Sequence, residues 1–323
     1  MSGFRRVPFP DETDASGRFV RQVSAFRGVI GGDGARPPAD GRYHLYVSLA
    51  CPWAHRVVIA RVLKGLESVV GMTVVDPVRD DRGWAFRSGR GHSEDPVNGF
   101  AYLAEAYTRT DPAWTGRPTV PVLWDRVTGT IVNNESQDIL RLLDGAFGDL
   151  ARPVPRLRPP DLADAIDAVN AFVYPMINDG VYRAGFAATR AAHDAAVAGL
   201  AEGLSRAGRI LGESRWLAGN RFTEADIRLF TTLVRFDPVY RTHFRCDAHR
   251  IADSPELRGF MRDVAQIPGV MSTIDMDHIK RHYYLTHPAL NPGGGVPVDD
   301  GPDLSVPHGR AGLGPSPIPG SCA

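Results

Sequence analysis

One cysteine stands where a predicted strand turns into a predicted helix, and this order constrains the fold more than any other feature. Residues 43–49, Tyr-His-Leu-Tyr-Val-Ser-Leu, are aromatic and β-branched enough for a short buried strand. Residues 54–66 carry apolar side chains at helical spacing, so Cys51 begins a helix and Pro52 suits its first turn. The pattern predicts the opening of an α/β domain.

The position of Cys51 favours a reactive thiol. Unpaired N–H groups and the positive end of a helix dipole stabilise a thiolate, and such sites bring a cysteine pKa from about 8.5 to roughly 3.5–7.5. His55 and Arg56 can add positive charge. An isolated cysteine is more often buried and inert, but the strand–Cys–Pro–helix order favours the reactive interpretation.

Ala54 stands where a Cys-x-x-Cys motif would have its second cysteine. Cys51 therefore has no neighbouring thiol with which to form an internal disulfide. A mixed disulfide on Cys51 must be resolved by a second thiol from outside. This predicts a thiol-dependent transferase or reductase rather than a dithiol oxidoreductase.

Composition excludes several classes of protein. The 323 residues suffice for two domains, and 37 basic against 37 acidic residues create no field that recruits nucleic acid or an anionic membrane. Cys51, Cys246 and Cys322 are too few for a disulfide framework and lack zinc-ligand spacing. Residues 1–14 are not signal-like, and no run approaches the roughly 18 apolar residues of a membrane span. We expect a protein of the reducing cytoplasm.

The first half continues as a βαβ unit followed by a hairpin. Residues 69–75 read as a second strand, and 119–125 with 129–132 read as two hairpin strands. Between them, residues 76–118 read as a long irregular insertion, of a length that is usually functional or mobile.

Pro121 falls inside a predicted strand. Proline there normally marks an edge or a bulge. A cis Val120–Pro121 bond is the alternative, and it would turn the Val120 backbone toward the Cys51 pocket; about 5–6% of X–Pro bonds are cis. The residues leave both open. The polar cluster 133–138 that follows predicts a helix N-terminal cap, able to take a carboxylate.

The second half is predicted to be helical. Residues 151–160, with four prolines and three arginines, read as a linker. Helical patterns follow at 161–173, 187–211, 227–236, 257–265 and 278–284. Thr223 and Asp226 form a capping box. The predicted divisions are 1–155, 156–290 and an irregular tail, 291–323.

Five blocks of sequence, in order, resemble the glutathionyl-hydroquinone reductases, the Xi class of glutathione transferases. The blocks are SLACPWAHR from Ser48, VNNES from Val132, INDGVYRAGFA from Ile177, ADIRLFTTLVRFDPVY from Ala225 and DHIKRHYY from Asp277. The resemblance implies an α/β thioredoxin-like N-terminal domain, an all-α C-terminal domain, and a homodimer formed through the latter. It also implies that Cys51 attacks the sulfur of a glutathionyl-hydroquinone, after which a second glutathione releases the enzyme.

The resemblance assigns the remaining site residues. Val120, through its backbone, with Glu135 and Ser136, are where the family holds the glutathione peptide. Trp84 and Arg117 match further glutathione contacts. The implied cosubstrate is glutathione and the implied substrate is its quinol conjugate.

The family places tyrosines of the helical domain around the quinol. Tyr283 and Tyr174 are the implied catalytic residues, with Tyr182 and Tyr284 as near neighbours. A phenol hydroxyl can donate to a quinol oxygen and steady developing charge. The alternative is a core tyrosine whose hydroxyl bonds to backbone.

Other candidates have ordinary explanations. His278 and His282 have i, i+4 spacing, but no third ligand accompanies them, so we expect no metal. Thr223 and Asp226 are expected to cap a helix, and Cys246 is expected to be structural.

Other functions and another thiol stay open. An Omega-type transferase would reduce mixed disulfides or dehydroascorbate, but the Tyr283 block and the 76–118 segment favour the reductase. A non-catalytic binding subunit predicts loss of Cys51 or of Glu135 and Ser136, all of which are present. The bias to arginine over lysine suggests a GC-rich genome, and some such bacteria use mycothiol in place of glutathione.

Overall fold

The computed structural model describes residues 12–32 and 36–317, and it divides into two compact units. The sheet unit comprises Val23–Arg156 and Pro268–His282. The helical unit comprises Leu157–Ile267 together with the described residues before Val23 and from Tyr283 onward. Cys322, the end of the predicted tail and most of residues 1–14 lie outside the described residues. The predicted domain boundaries stay a prediction.

Four strands form the sheet of the first unit. They are β1 Tyr43–Val47, β2 Gly71–Val74, β3 Val122–Asp125 and β4 Thr130–Asn133, in the order β2-β1-β3-β4. β1 is parallel to β2 and antiparallel to β3, and β3 and β4 form the predicted hairpin. All five residues of β1 are buried, as expected for an inner strand covered by helices. This topology confirms the α/β class predicted for the N-terminal half.

Ten α-helices are present in the described residues. In chain order they are α1 Pro52–Leu63, α2 Ala104–Thr110, α3 Ser136–Gly145, α4 Ala163–Phe172, α5 Gly180–Gly185, α6 Arg190–Glu213, α7 Glu224–Leu233, α8 Arg241–His243, α9 Pro255–Ala265 and α10 Met276–Thr286. Seven of them, α1, α3, α4, α6, α7, α9 and α10, lie where the sequence predicts a helix, with ends shifted by a few residues, whereas α2, α5 and α8 were not predicted. π-Helical turns occupy Val173–Asn178 and Phe236–Tyr240. Short 3-10 helices lie at Gly148–Leu150, Pro160–Leu162, Ile251–Asp253, Met271–Thr273 and Ala311–Leu313.

One prediction within the 76–118 segment was wrong, because the segment is not irregular throughout. It contains α2, whose Ala106 and Tyr107 are buried together with the preceding Leu103. This i, i+3, i+4 face is only one turn long and is flanked by polar residues. So short an apolar face gives little periodicity to detect in a sequence.

Local capping signals in the helical unit are confirmed. The Thr223 side chain accepts from the backbone at the start of α7, and the Asp226 carboxylate accepts in return from the Thr223 backbone N–H, 2.8 Å away. Both residues are buried. Among the described residues, no helix has the length and apolarity that crossing a bilayer requires.

Candidate functional site

The strand pairing brings three chain segments to one end of the sheet. β1 ends beside the start of β3, and β4 ends beside that same start. Residues that follow β1, precede β3 or follow β4 therefore converge. These residues are Cys51, Val120, Glu135 and Ser136, so the pairing of the strands brings four of the residues predicted for the thiol site to the same end of the sheet.

Cys51 is the N-cap residue of α1, with extended backbone and Pro52 in the first turn, as predicted. The residue is 9% exposed, and its Sγ lies 3.7 Å from the carbonyl oxygen of Val120. The Val120–Pro121 bond is cis, and Pro121 precedes β3 rather than interrupting it. Cys51 and the buried Cys246, the two cysteines in the described part of the chain, form no disulfide with each other.

Glu135 caps α3, which confirms the predicted helix start. Its Oε1 accepts from the backbone N–H of Gln137 at 3.2 Å and from the Ser136 hydroxyl at 3.4 Å. Its Oε2 accepts from the Ser24 hydroxyl at 2.9 Å. An N-cap with exposed N–H groups and the positive end of a helix dipole is suited to binding an anion.

Arg56 places a buried positive charge between α1 and α3. Its guanidinium lies 4.4 Å from the centre of the Trp53 ring, and Nη1 is 3.5 Å from the Ser136 hydroxyl. The side chain is 1% exposed. α1 and α3 pack together here, so the cation lies between the helix that carries Cys51 and the helix that begins at Ser136.

Trp84 and Arg117 come from the long segment between β2 and β3. The Trp84 ring is stacked on His282 at a centroid distance of 4.9 Å, and the Arg79 guanidinium lies 5.2 Å from the Trp84 ring centre. Burial raises the pKa of Tyr107, and the positive charge of Arg117 opposes that rise. The structure thus places Trp84 against α10 and Arg117 near α2.

The two spaced histidines bond to backbone carbonyls. His278 Nε2 lies 2.7 Å from the oxygen of Arg90, and His282 Nδ1 lies 2.8 Å from the oxygen of Pro77. The two bonds link α10 to the 76–118 segment. Within the described ranges, no group of three or more His, Cys, Asp or Glu side chains is arranged to hold a metal ion.

Three tyrosine hydroxyls form a chain in the helical unit. Tyr182 and Tyr283 share a 2.6 Å hydrogen bond, and Tyr283 and Tyr240 share one of 3.0 Å. Burial raises the pKa of Tyr283 and that of Tyr240 well above 10, so both remain hydroxyl donors at neutral pH. Tyr182 is 9% exposed, whereas Tyr283 is 1% exposed.

Tyr240 was missed from the sequence as a site candidate. It ends the ADIRLFTTLVRFDPVY block and lies in the π-helical turn Phe236–Tyr240. π-Turns inside helices are often found at functional sites, but a sequence does not reveal them. The block was therefore the available signal, and the contact with Tyr283 is visible only in the fold.

Tyr174 and Tyr284 differ from each other in exposure and in contacts. Tyr174 is 38% exposed, and the Arg228 guanidinium lies 5.7 Å from its ring centre. The Tyr284 hydroxyl donates to the Pro238 carbonyl at 3.0 Å, the backbone bond expected of an ordinary buried tyrosine. Burial raises the pKa of Tyr284 to about 12.

Two family models match the chain: the glutathione S-transferase N-terminal domain at residues 50–146 and the C-terminal domain at 190–263. The glutathionyl-hydroquinone reductase YqjG of Escherichia coli is 48% identical over 309 residues, which cover 93% of this chain and 94% of YqjG. The glutathionyl-hydroquinone reductase PcpF of Sphingobium chlorophenolicum is 45% identical over 307 residues, which cover 95% and 97% of the two chains.

Solved structures are similar over most of the chain. The glutathione-bound structure of Escherichia coli YqjG gives a TM-score of 0.85 at 48% identity, over 88% of this chain and 96% of that one. The Xi glutathione transferase of Phanerochaete chrysosporium gives a TM-score of 0.86 at 45% identity, over 89% and 94% of the two chains.

Proposed function

The chain belongs to the Xi class of the glutathione S-transferase family, and from that membership we propose that it is a glutathione-dependent reductase that cleaves glutathionyl-hydroquinones to hydroquinones. The observation that carries the proposal is the thiol of Cys51 at the N-cap of α1. Ala54 stands one turn further along, where a dithiol enzyme would have its second cysteine. The chemistry therefore needs a second thiol from solution.

The Cys51 thiolate attacks the sulfur that joins glutathione to the quinol ring. The carbon–sulfur bond breaks, its electron pair passes to the ring, and the ring carbon takes a proton. Cys51 is left in a disulfide with glutathione. A second glutathione thiolate attacks this disulfide and restores Cys51 as thiolate. Overall, two glutathione sulfurs are oxidised to glutathione disulfide, the carbon–sulfur bond is reduced to carbon–hydrogen, and the second thiol supplies the proton.

The sheet unit is proposed to hold the glutathione peptide. Val120 pairs with it through backbone groups, the Glu135 carboxylate accepts from its ammonium group, and Ser136 with the start of α3 binds a carboxylate. Support comes from the convergence of these residues beside Cys51. Trp84 and Arg117 are proposed as further contacts from the long segment.

The helical unit is proposed to supply hydroxyls to the quinol. Tyr283 and Tyr182 donate toward a quinol oxygen, and Tyr174 contacts the ring. The high pKa of Tyr283 supports a neutral donor, and a chain of hydroxyls strengthens the terminal hydrogen bond by mutual polarisation. Such a donor stabilises negative charge as the hydroquinone leaves.

The proposal includes the assembly and location implied by the family. A homodimer formed through the helical unit and a reducing cytoplasmic location both belong to it, since the second step consumes a reduced thiol. The boundary predicted near residue 155 is supported by the four prolines of residues 151–160. Sedimentation analysis of the full chain tests the dimer.

Replacement of Cys51 tests the function directly. We expect Cys51→Ala to lower turnover of a glutathionyl-hydroquinone at least roughly a thousandfold, because the nucleophile is lost. Cys246→Ser, which changes the buried cysteine of the helical unit, is the matched control and should keep activity. The mechanism would be rejected if the wild type did not turn over the glutathionyl-hydroquinone, and equally if Cys51→Ala kept full turnover. If the wild type acted only on mycothiol conjugates, with mycothiol as the second thiol, the chemistry would stand and mycothiol would take the place of glutathione.

A further inference from the structure

Arg21 places a largely enclosed cation beside the tyrosines. Its guanidinium lies 4.8 Å from the centre of the Tyr182 ring, and its Nε lies 3.3 Å from Oδ1 of Asp179. The side chains of Arg21 and Asp179 are 23% and 14% exposed. A cation over an aromatic ring is attracted by the negative face of the ring's quadrupole, more strongly where water is excluded.

The segment that carries Arg21 is fixed in place. The Gly17 carbonyl accepts from the Ala188 backbone N–H at 2.8 Å, and the Phe19 ring packs edge-on against Phe186 at 5.4 Å. Gly17 has a φ of +84°, and a Cβ there would lie 2.7 Å from the Thr189 side chain. The position of Arg21 therefore follows from specific packing of this segment in the helical unit.

The charge of Arg21 is coupled to the nearby phenols. Burial by itself would lower the pKa of Arg21, but the Asp179 carboxylate and the negative forms of Tyr182 and Tyr174 raise it by more. The coupling is mutual, because an interaction that favours the cation beside a negative phenol equally favours the negative phenol beside the cation. Arg21 thus stabilises negative charge that develops at the Tyr182 hydroxyl.

Tyr182 occupies the more exposed end of the hydroxyl chain. It is 9% exposed, whereas Tyr283 and Tyr240 are almost completely buried. A second negative charge in the chain is disfavoured, since charge on Tyr182 raises the pKa of both other tyrosines. Negative charge that the hydroxyl chain takes up from a bound oxygen is therefore held best on Tyr182, next to Arg21.

We propose that Arg21 is a positioning residue for hydroquinone departure: it holds the Tyr182 ring and stabilises the negative charge that the leaving quinol oxygen shares with the Tyr182 hydroxyl. This inference rests on the proposed function. As the carbon–sulfur bond breaks, its electron pair passes to the ring and its oxygen until the ring carbon takes a proton. Arg21 acts during that interval, through Tyr182.

Two substrates separate this role from a purely structural one. A glutathionyl-hydroquinone releases a quinol, whereas a glutathione mixed disulfide of a small aliphatic thiol releases a thiolate that needs no phenol donor. We expect Arg21→Met to lower kcat on the first roughly 10- to 100-fold, with KM for glutathione unchanged, and to leave turnover of the second within about twofold. Arg21→Lys keeps a cation and should recover part of the loss.

Arg18→Met is the matched control, because Arg18 lies on the same segment but pairs with Asp14 at the surface. It should match the wild type on both substrates. Unchanged hydroquinone turnover in Arg21→Met would overturn the inference alone, and so would equal losses on both substrates, which indicate damage to the fold. Wild-type enzyme that turns over no glutathionyl-hydroquinone would reject the proposed function and this inference together.

Discussion

At the scale of single residues, Glu135 combines a structural task with a proposed binding task. One carboxylate oxygen caps α3 through the Gln137 N–H, and the other accepts from Ser24. A cap needs only an acceptor oxygen, whereas an ammonium group is held best by a full negative charge. The two tasks can therefore be separated by replacing the charge while keeping the oxygen.

We predict that Glu135→Gln raises the KM for glutathione about 10- to 100-fold, because a charge-assisted hydrogen bond is worth about 1.5–3 kcal/mol. Its stability should stay within about 0.5 kcal/mol of the wild type, since the amide oxygen still caps α3. Glu135→Ala should lose both the affinity and about 1 kcal/mol of stability. Steady-state kinetics and urea unfolding measure the two effects, and an unchanged KM in Glu135→Gln would remove Glu135 from the glutathione site.

At the scale of elements, β1 and β2 are joined by an unusual cross-strand pair. His44 stands opposite Gly71, and a Cβ on Gly71 would lie 2.5 Å from His44 Nδ1, so the glycine makes room for the ring. His44 Nε2 lies 2.7 Å from the Thr73 hydroxyl. Burial lowers the pKa of His44 to about 4; the negative charge of Asp95 opposes this fall, and the positive charges of Arg126 and Arg61 add to it.

This shift predicts acid sensitivity of the sheet. The folded state binds the His44 proton more weakly than the unfolded chain, whose pKa is about 6.5. The stabilisation by neutral His44 is present above pH 6.5 and is lost as the pH falls toward 4. Between pH 7 and pH 5 the wild type should lose about 2 kcal/mol more unfolding free energy than His44→Asn. The exposed His249→Asn is the control, and equal losses in all three proteins in urea titrations would contradict the shift.

At the scale of the whole molecule, the C-terminal tail is hydrogen-bonded to the end of α6, about a hundred residues earlier in the chain. Arg310, 5% exposed, donates to the carbonyls of Leu211, Ser214 and Arg215 at 2.9–3.0 Å, just at the end of α6. A cation at a helix C-terminus satisfies carbonyls that lack partners within the helix. The irregular tail is therefore part of the fold of this unit, with Arg310 as its buried anchor.

We predict that Arg310→Ala destabilises the protein by about 3 kcal/mol, because it leaves buried carbonyls and the Asp263 carboxylate without this partner. Arg262→Ala is the control: Arg262 also bonds to the tail, through the Asp303 carbonyl, but at the surface. It should cost less than about 1 kcal/mol. Equal costs in thermal or urea unfolding would show that the tail is held along its length rather than at Arg310.

Features set by neighbouring residues were predictable. Cys51 at the start of α1, the cap before α3 and the capping box at Thr223 each depend on residues within one or two turns, and all are confirmed. The α2 helix was missed because its apolar face is one turn long. The cis bond before Pro121 stayed undecided, because the residues around it allow either isomer.

The chain alone predicts the thioredoxin-like and helical classes, the family and the position of Cys51 at the start of α1. These follow from local periodicity, capping chemistry and long matching blocks. The fold was needed to show which tyrosine hydroxyls bond to one another and that the Arg21 guanidinium lies over the Tyr182 ring. Tyr182 and Tyr283 are 101 residues apart and Arg21 lies 158 residues from Asp179. No local rule relates residues so distant, because their contact depends on how whole helices and the N-terminal segment pack.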